Sequence, residues 1–198
     1  MFDLGGVLID WNPRYLYRKL FPGDEPAMEA FLAEVTTAEW NVQQDAGRPW
    51  DEAIESLAAQ HPGKRDLIAA FRLRWGEMLG GAIEPTVEIL AELRRTGIPL
   101  FALTNWSAET FQIARPQLPF LDWFEGIVVS GEVGAAKPDP KVFEHLIERF
   151  GLDPGSSLFI DDSEANVRAA ASLGFGTIRY EGPDQLRASL VELGLLRA

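Results

Sequence analysis

The sequence predicts an α/β fold: a Rossmann-like parallel sheet covered by helices on both faces, with an inserted all-helical subdomain. Three observations predict it. From residue 85 onward, short apolar runs alternate with amphipathic helical segments. Several of these helices stop at a glycine: Gly97, Gly151 and Gly174. Between Pro13 and about Gly81 the alternation ceases and only helical spacing remains. Short strands alternating with helices imply right-handed crossovers and a parallel sheet with both faces buried. The expected division is therefore 1–12 with 82–198 as the core and 13–81 as a helical cap.

The elements follow in order. The stretch MFDLGGVLIDWNP brings an apolar run to Asp3, turns at Gly5-Gly6, and continues through Val7-Leu8-Ile9 to Asp10. In the insert, Ala27, Met28, Phe31, Leu32 and Val35 share helical spacing, as do Ile54 with Leu57, and Leu67, Ile68, Phe71 and Trp75. No convincing strand is expected there. Pro85 starts a helix with Val87, Leu90 and Leu93 on one face, which Gly97 closes. Ile98 to Leu103 is an apolar strand running into Thr104-Asn105, and Gly126 to Ser130 is the next. Val142, Phe143, Leu146, Ile147 and Phe150 mark another amphipathic helix. Ser157 to Ile160 leads into Asp161-Asp162, Ser163 to Leu173 is helical, and Thr177 to Tyr180 is a short strand. Leu186, Leu190 and Leu193 belong to the last helix.

Composition sets the limits. The 198 residues are 46% hydrophobic and 24% charged, enough for a substantial core and unlike a disordered chain. No run is long and apolar enough for a membrane span, and the first residues lack the pattern of a signal peptide. The absence of cysteine rules out disulfides and thiolate metal sites and fits the cytoplasm. A net charge of -12 argues against nucleic acid as a partner. The expected partner is a small phosphorylated molecule, with a homodimer left open.

In open parallel sheets, ligands bind beyond the carboxyl ends of the strands. The residues expected there are Asp3 to Gly6, Thr104-Asn105, the loop from Gly131 to Lys137, and Asp161-Asp162. Two carboxylates about 4 Å apart repel by ~4 kcal/mol at an effective dielectric of 20. Lys137 offsets one charge of the three and leaves the group near minus two. Oxygen-only donors with that charge suit Mg²⁺. Singly, each residue has a plain structural reading: Gly5-Gly6 as a tight turn, Asp162 as a helix cap, Lys137 as a loop lysine. Their joint placement at strand ends is what those readings leave unexplained.

FDLGGVLID, LTN, KPDPKVF and LFIDDSEANVRAAASLG resemble, in order, the four motifs of the haloacid dehalogenase-like hydrolase superfamily. The helical insert is similar to that family's small cap. The resemblance spans essentially the whole chain. It implies that Asp3 is the nucleophile, forming an aspartyl-phosphate that water hydrolyses. It implies that Thr104 donates to a phosphoryl oxygen, with Asn105 and backbone N–H groups near Gly6 and the following helix start adding donors. Lys137 would pair with Asp3 and the phosphate. Asp3 and Asp162 would hold Mg²⁺ directly, with the Gly5 carbonyl as a further ligand and Asp161 in or near the shell. Asn166 would make a supporting contact. Only Met1 and Phe2 precede Asp3, so the nucleophile strand is short or the chain start is trimmed relative to its relatives.

Position 5 departs from the family. Most of its phosphatases carry a second aspartate there as general acid, worth ~10² to 10⁴ in rate. Three outcomes stay open: a neighbouring carboxylate substitutes, with Asp10 or Asp45 as candidates; the leaving group is a good one, such as an anomeric oxygen of a sugar phosphate; or the chain binds phospho-ligands and hydrolyses little. Branches with D-x-G-x-V resemble this chain and include phosphatases of small phosphate esters. The competing enzyme is a metal-independent 2-haloacid dehalogenase, which also lacks the second aspartate. That branch carries an aromatic residue where Gly5 stands and no Asp-Asp pair, so Asp161-Asp162 favours phosphoryl transfer. For substrate contact, Trp11, Trp106 and Gln44 are the candidates, while Trp50, Trp75 and Trp123 are read as packing, and His61 and His145 as surface or structural.

Overall fold

The computed structural model describes residues 1–197. Four strands make the parallel sheet: β3 (Phe101–Thr104) beside β4 (Gly126–Val129), and β5 (Leu158–Asp161) beside β6 (Gly176–Arg179). Phe2 joins the two pairs, bridging Ala102 on one side and Ile160 on the other in parallel. Its N–H donates to the Phe101 carbonyl, its own carbonyl accepts from Leu103, and the Asp3 N–H donates to Ile160. The spatial order is therefore β4, β3, the Phe2 segment, β5, β6. The central strand is represented by isolated bridges at Phe2.

Strand alternation sends neighbouring side chains to opposite faces. Ala102, Val129 and Ile160 join one buried cluster, while Leu103, Val128 and Phe159 join another. The first is covered by Leu90 and Leu93 of α6 (Glu84–Arg95) and by Leu186 and Leu190 of α11 (Pro183–Glu192). The second is covered by Val142, Phe143 and Leu146 of α9 (Pro140–Phe150) and Ala170 of α10 (Glu164–Ser172). Local chemistry starts and stops these helices. At α9, Asp139 accepts from the Lys141 N–H, Pro140 occupies the first turn, and Gly151 ends the helix at φ +63°.

After Asp3 the chain turns at Gly6 and enters β1 (Ile9–Trp11), which pairs antiparallel with β2 (Leu79–Ala82). Between the two lie α1 (Arg14–Leu20), α2 (Glu25–Glu34), α3 (Ala38–Asp45), α4 (Trp50–Gln60) and α5 (Arg65–Leu73). Their shared core is aromatic: Tyr17, Phe31, Trp40, Trp50 and Phe71 are all buried, and the Trp50 and Phe71 rings stack at 5.7 Å. The ribbon that carries the insert includes β2, a strand the sequence does not announce. Leu79-Gly80-Gly81-Ala82 has neither alternation nor β-branched residues, and only its partner β1 makes it a strand.

On the core side, α7 (Ala108–Ala114) follows β3, and the short α8 (Ser130–Val133) follows β4. Both face the insert.

Candidate active site

Three strand ends and the start of the chain meet at one edge. Lys137 is the centre of the cluster and is buried. Its ammonium donates to Asp3 Oδ1 at 2.9 Å, Asp161 Oδ2 at 2.7 Å and the Leu103 carbonyl at 2.8 Å. An ammonium has three protons, and all are used. Burial pulls the lysine's pKa down, but the Asp3 and Asp161 carboxylates outweigh it and hold the amine above its ordinary value. Burial also raises Asp3 above the usual carboxylate range; Lys137 opposes that shift and Asp161 adds to it.

Asp161 is fully buried, and both its oxygens are taken. Oδ1 accepts from the Ser163 N–H at 2.8 Å and Asn166 Nδ2 at 3.0 Å; Oδ2 accepts from Lys137 and from Asn166 at 3.1 Å. With both lone pairs of each oxygen engaged, Asp161 stands behind the lysine and has none to offer an ion. Of the acids expected around the ion, Asp161 is the one with both oxygens engaged by protein donors. Asn166 supplies the supporting contact expected of it.

Asp162 points the other way along the strand end and is exposed. Burial, and then the charge of Asp161, raise its pKa. Ligand oxygens of Asp3, Asp161 and Asp162 all lie within 4.8 Å of one another. Gly6 makes room for this group. It takes φ +74°, and a Cβ there would stand 2.6 Å from Asp162 Oδ2, so a side chain is excluded by conformation and by space. The Gly5 carbonyl accepts no backbone hydrogen bond among the described residues. Two carboxylates with free lone pairs, an unengaged carbonyl and a net charge near minus two fit a hard divalent cation such as Mg²⁺.

Thr104 ends β3 at the same edge and is buried. Asn105 acts as a clamp: its Nδ2 donates to the Lys137 carbonyl at 2.9 Å and its Oδ1 accepts the Lys137 N–H at 2.7 Å. Its amide is thereby committed to holding the lysine loop against β3.

A cavity of about 70 Å³ opens beside Gly5. Its apolar wall is Ile9, Trp11, Trp75 and Trp106. Trp75 stacks near Trp11 at 6.5 Å and lies 5.1 Å from Trp106. The polar wall is Asn41, Asp45 and Asn105. Trp11 and Trp106 thus reach the cavity as expected, and Trp75, read as packing, reaches it too. The buried indole N–H groups of Trp11 and Trp106 have no hydrogen-bond partner.

Two expected residues are not brought there. Asp10 lies between Ile9 and Trp11 on β1, and alternation turns it off the cavity wall. Its Oδ2 accepts from the Tyr15 hydroxyl at 2.7 Å, and it packs so closely on Gly80 that a Cβ there has no room. Gln44 follows Trp40 by one turn and shares its buried face, donating back to the Trp40 carbonyl at 2.5 Å. Asn41 and Asp45, four apart on the next face of α3, are the residues that face the cavity. That i,i+4 pairing was the available signal.

The haloacid dehalogenase-like hydrolase profile matches residues 1–174, and the chain belongs to that family. It is similar to a sesquiterpene phosphatase of Aspergillus oryzae, 27% identical over 88% of this chain and 85% of that protein. It is also similar to a drimenol cyclase of Aspergillus calidoustus, 24% identical over 98% of this chain, of which it spans only 36%. Among solved structures it resembles a family enzyme of Bacteroides thetaiotaomicron in complex with magnesium and inorganic phosphate. There the identity is 27%, the coverage 89% and 90% of the two chains, and the TM-score 0.67. Among the described residues no helix is long and apolar enough to cross a membrane.

Proposed function

We propose that this hydrolase is a Mg²⁺-dependent phosphatase of a small phosphorylated metabolite, a sugar phosphate among the candidates, acting through an aspartyl-phosphate. One observation carries the reading: the buried Asp3–Lys137–Asp161 array with Asp162 close by. A dehalogenase attacking carbon has no use for a second free carboxylate beside its nucleophile, whereas a phosphoryl group with several charged oxygens needs cations around it.

Asp3 attacks phosphorus in line, with Lys137 holding its Oδ1 and keeping a positive charge where the transition state spreads negative charge. Asp161, Asn166 and the Asn105 clamp keep the ammonium in place. The Thr104 hydroxyl is positioned to donate to a phosphoryl oxygen. Asp3, Asp162 and the Gly5 carbonyl would hold Mg²⁺, which when bound neutralises phosphoryl charge as a Lewis acid. The helical insert serves as a cap. At about 70 Å³ the cavity is far below the ~300 Å³ of a typical ligand site, so substrate enters with the insert displaced and water is excluded when it returns.

The test is a screen over sugar phosphates, nucleotides and small phosphate esters, with and without Mg²⁺. Phosphate release that requires Mg²⁺ is expected, with Asp3→Asn reducing it by at least ~10⁴-fold. Mg²⁺ should also raise the thermal midpoint of the wild-type chain, and much less that of Asp162→Asn. Full activity in Asp3→Asn would exclude the nucleophile; halide release from haloacids without metal would establish the dehalogenase instead.

A further inference from the structure

We propose that Asp45, delivered by the helical insert, is the proton donor and acceptor that position 5 does not supply. The inference rests on the phosphatase reading above.

Gly5 has no carboxyl group, yet it lies on the wall of the cavity. Asp45 lines the same cavity and is the only carboxylate among the described residues that does so. It is the last residue of α3, where the negative end of the helix dipole disfavours a second negative charge. Asn41, one turn back, donates its Nδ2 to Asp45 Oδ2 at 2.9 Å and orients the carboxyl. The backbone is pinned as well: the Ser130 hydroxyl, at the start of α8 in the core, donates to the Asp45 carbonyl at 2.5 Å. Close packing continues two residues on. Gly47 sits at φ +98°, and a Cβ there would press on the Gly131 carbonyl at 3.3 Å. Asp45 is therefore an insert residue fixed against the core, on the wall of the cavity it shares with Gly5 and Asn105. Burial pushes its pKa up to about 7, with the Ser107 backbone N–H as the opposing influence. A carboxyl titrating near neutrality can exist as acid in one half-reaction and as base in the next.

The steps balance. As the Asp3 oxygen forms its bond to phosphorus, the bond from phosphorus to the ester oxygen breaks. The Asp45 carboxyl gives its proton to that oxygen, releasing the alcohol and leaving Asp45 ionised. Water then attacks the aspartyl-phosphate, and Asp45 takes the water's proton. The bond from phosphorus to Asp3 breaks, phosphate leaves, and both aspartates return to their starting states.

Leaving-group dependence tests this. The probes are p-nitrophenyl phosphate, whose leaving group needs no proton, and glycerol 2-phosphate, whose alkoxide does. Asp45→Asn should lose ~10² to 10⁴ in kcat on glycerol 2-phosphate and less than about fivefold on p-nitrophenyl phosphate. A Cβ at Gly5 meets nothing within 4 Å, so Gly5→Asp in the Asp45→Asn background should regain at least about tenfold on glycerol 2-phosphate alone. A purely structural role for Asp45 would not be rescued from that position. Equal losses on both probes without rescue, or no loss on either, overturn the role of Asp45 and leave the phosphatase reading standing. A wild-type chain that releases phosphate from neither probe nor any member of the wider panel overturns both.

Discussion

The two walls of the site are built on opposite terms. At the strand edge, the buried polar groups are satisfied by one another. Lys137 uses all three protons, Asp161 accepts at four places, and Asn105 and Asn166 are committed to the same array. On the cavity side, the indole N–H groups of Trp11 and Trp106 are buried without partners, and the Asp45 carboxyl is held by Asn41 and the Ser107 backbone N–H, with no cation beside it. A closed network holds one geometry and tolerates little change, because each group lost strands another in a low dielectric. The strand edge is thus built to hold one arrangement, and the insert wall is the less committed of the two.

Breaking the closed side should produce the largest effect. Lys137→Ala would leave Asp3 and Asp161 facing each other without a cation. A destabilisation of ~3–5 kcal/mol is expected from denaturant unfolding, together with loss of activity. A small change in midpoint would mean the array is looser than its distances indicate. Asn166→Ala tests the same network one contact further out. It removes the donor to both Asp161 oxygens, and ~1.5–3 kcal/mol of stability should go with it, measurable in the same experiment.

The open side should respond in the opposite direction. Asp45 is shifted from 3.8 to about 7, so between those values the folded chain holds a proton that the unfolded chain has released. Unfolding therefore releases a proton, and stability falls as pH rises through that window. Asp45→Asn carries no such penalty. It should match the wild type near pH 4 and exceed it above pH 7 by on the order of 2 kcal/mol, read from thermal or urea midpoints across the pH range. A stabilised variant that has lost activity on poor leaving groups would set the two walls apart most clearly.

Much of this edge is legible along the chain because its residues belong to strand ends. Asp3, Thr104 and Asp161-Asp162 each follow an apolar run, and a parallel sheet carries all such ends to one side. Asn166 stands in the first turn of α10, five residues after Asp161 at the end of β5, so its contact is also local. The insert is different. Asp10 is near the nucleophile in sequence but faces Tyr15 and Gly80, because one residue on a strand reverses the side-chain direction. Trp75 is indistinguishable from a core tryptophan by spacing, yet it stacks beside Trp11 on the cavity wall. Gln44 and Asp45 are adjacent, and only the packing of α3 decides that the first turns inward to Trp40 and the second outward to Gly5. The ribbon strand β2 is invisible for a related reason: its glycines express no preference until β1 pairs with them.

By itself, the order of apolar runs, glycine stops and strand-end acids determined the sheet, its helical cover and the identity of the reacting edge. Those features depend on local spacing and on the handedness of the crossovers, both of which are written into neighbouring residues. Only the tertiary structure decided which lone pairs remain free at that edge and which insert residues stand over it. Those outcomes depend on how the helical insert packs against the core, and contacts between segments so distant in the chain have no local signature.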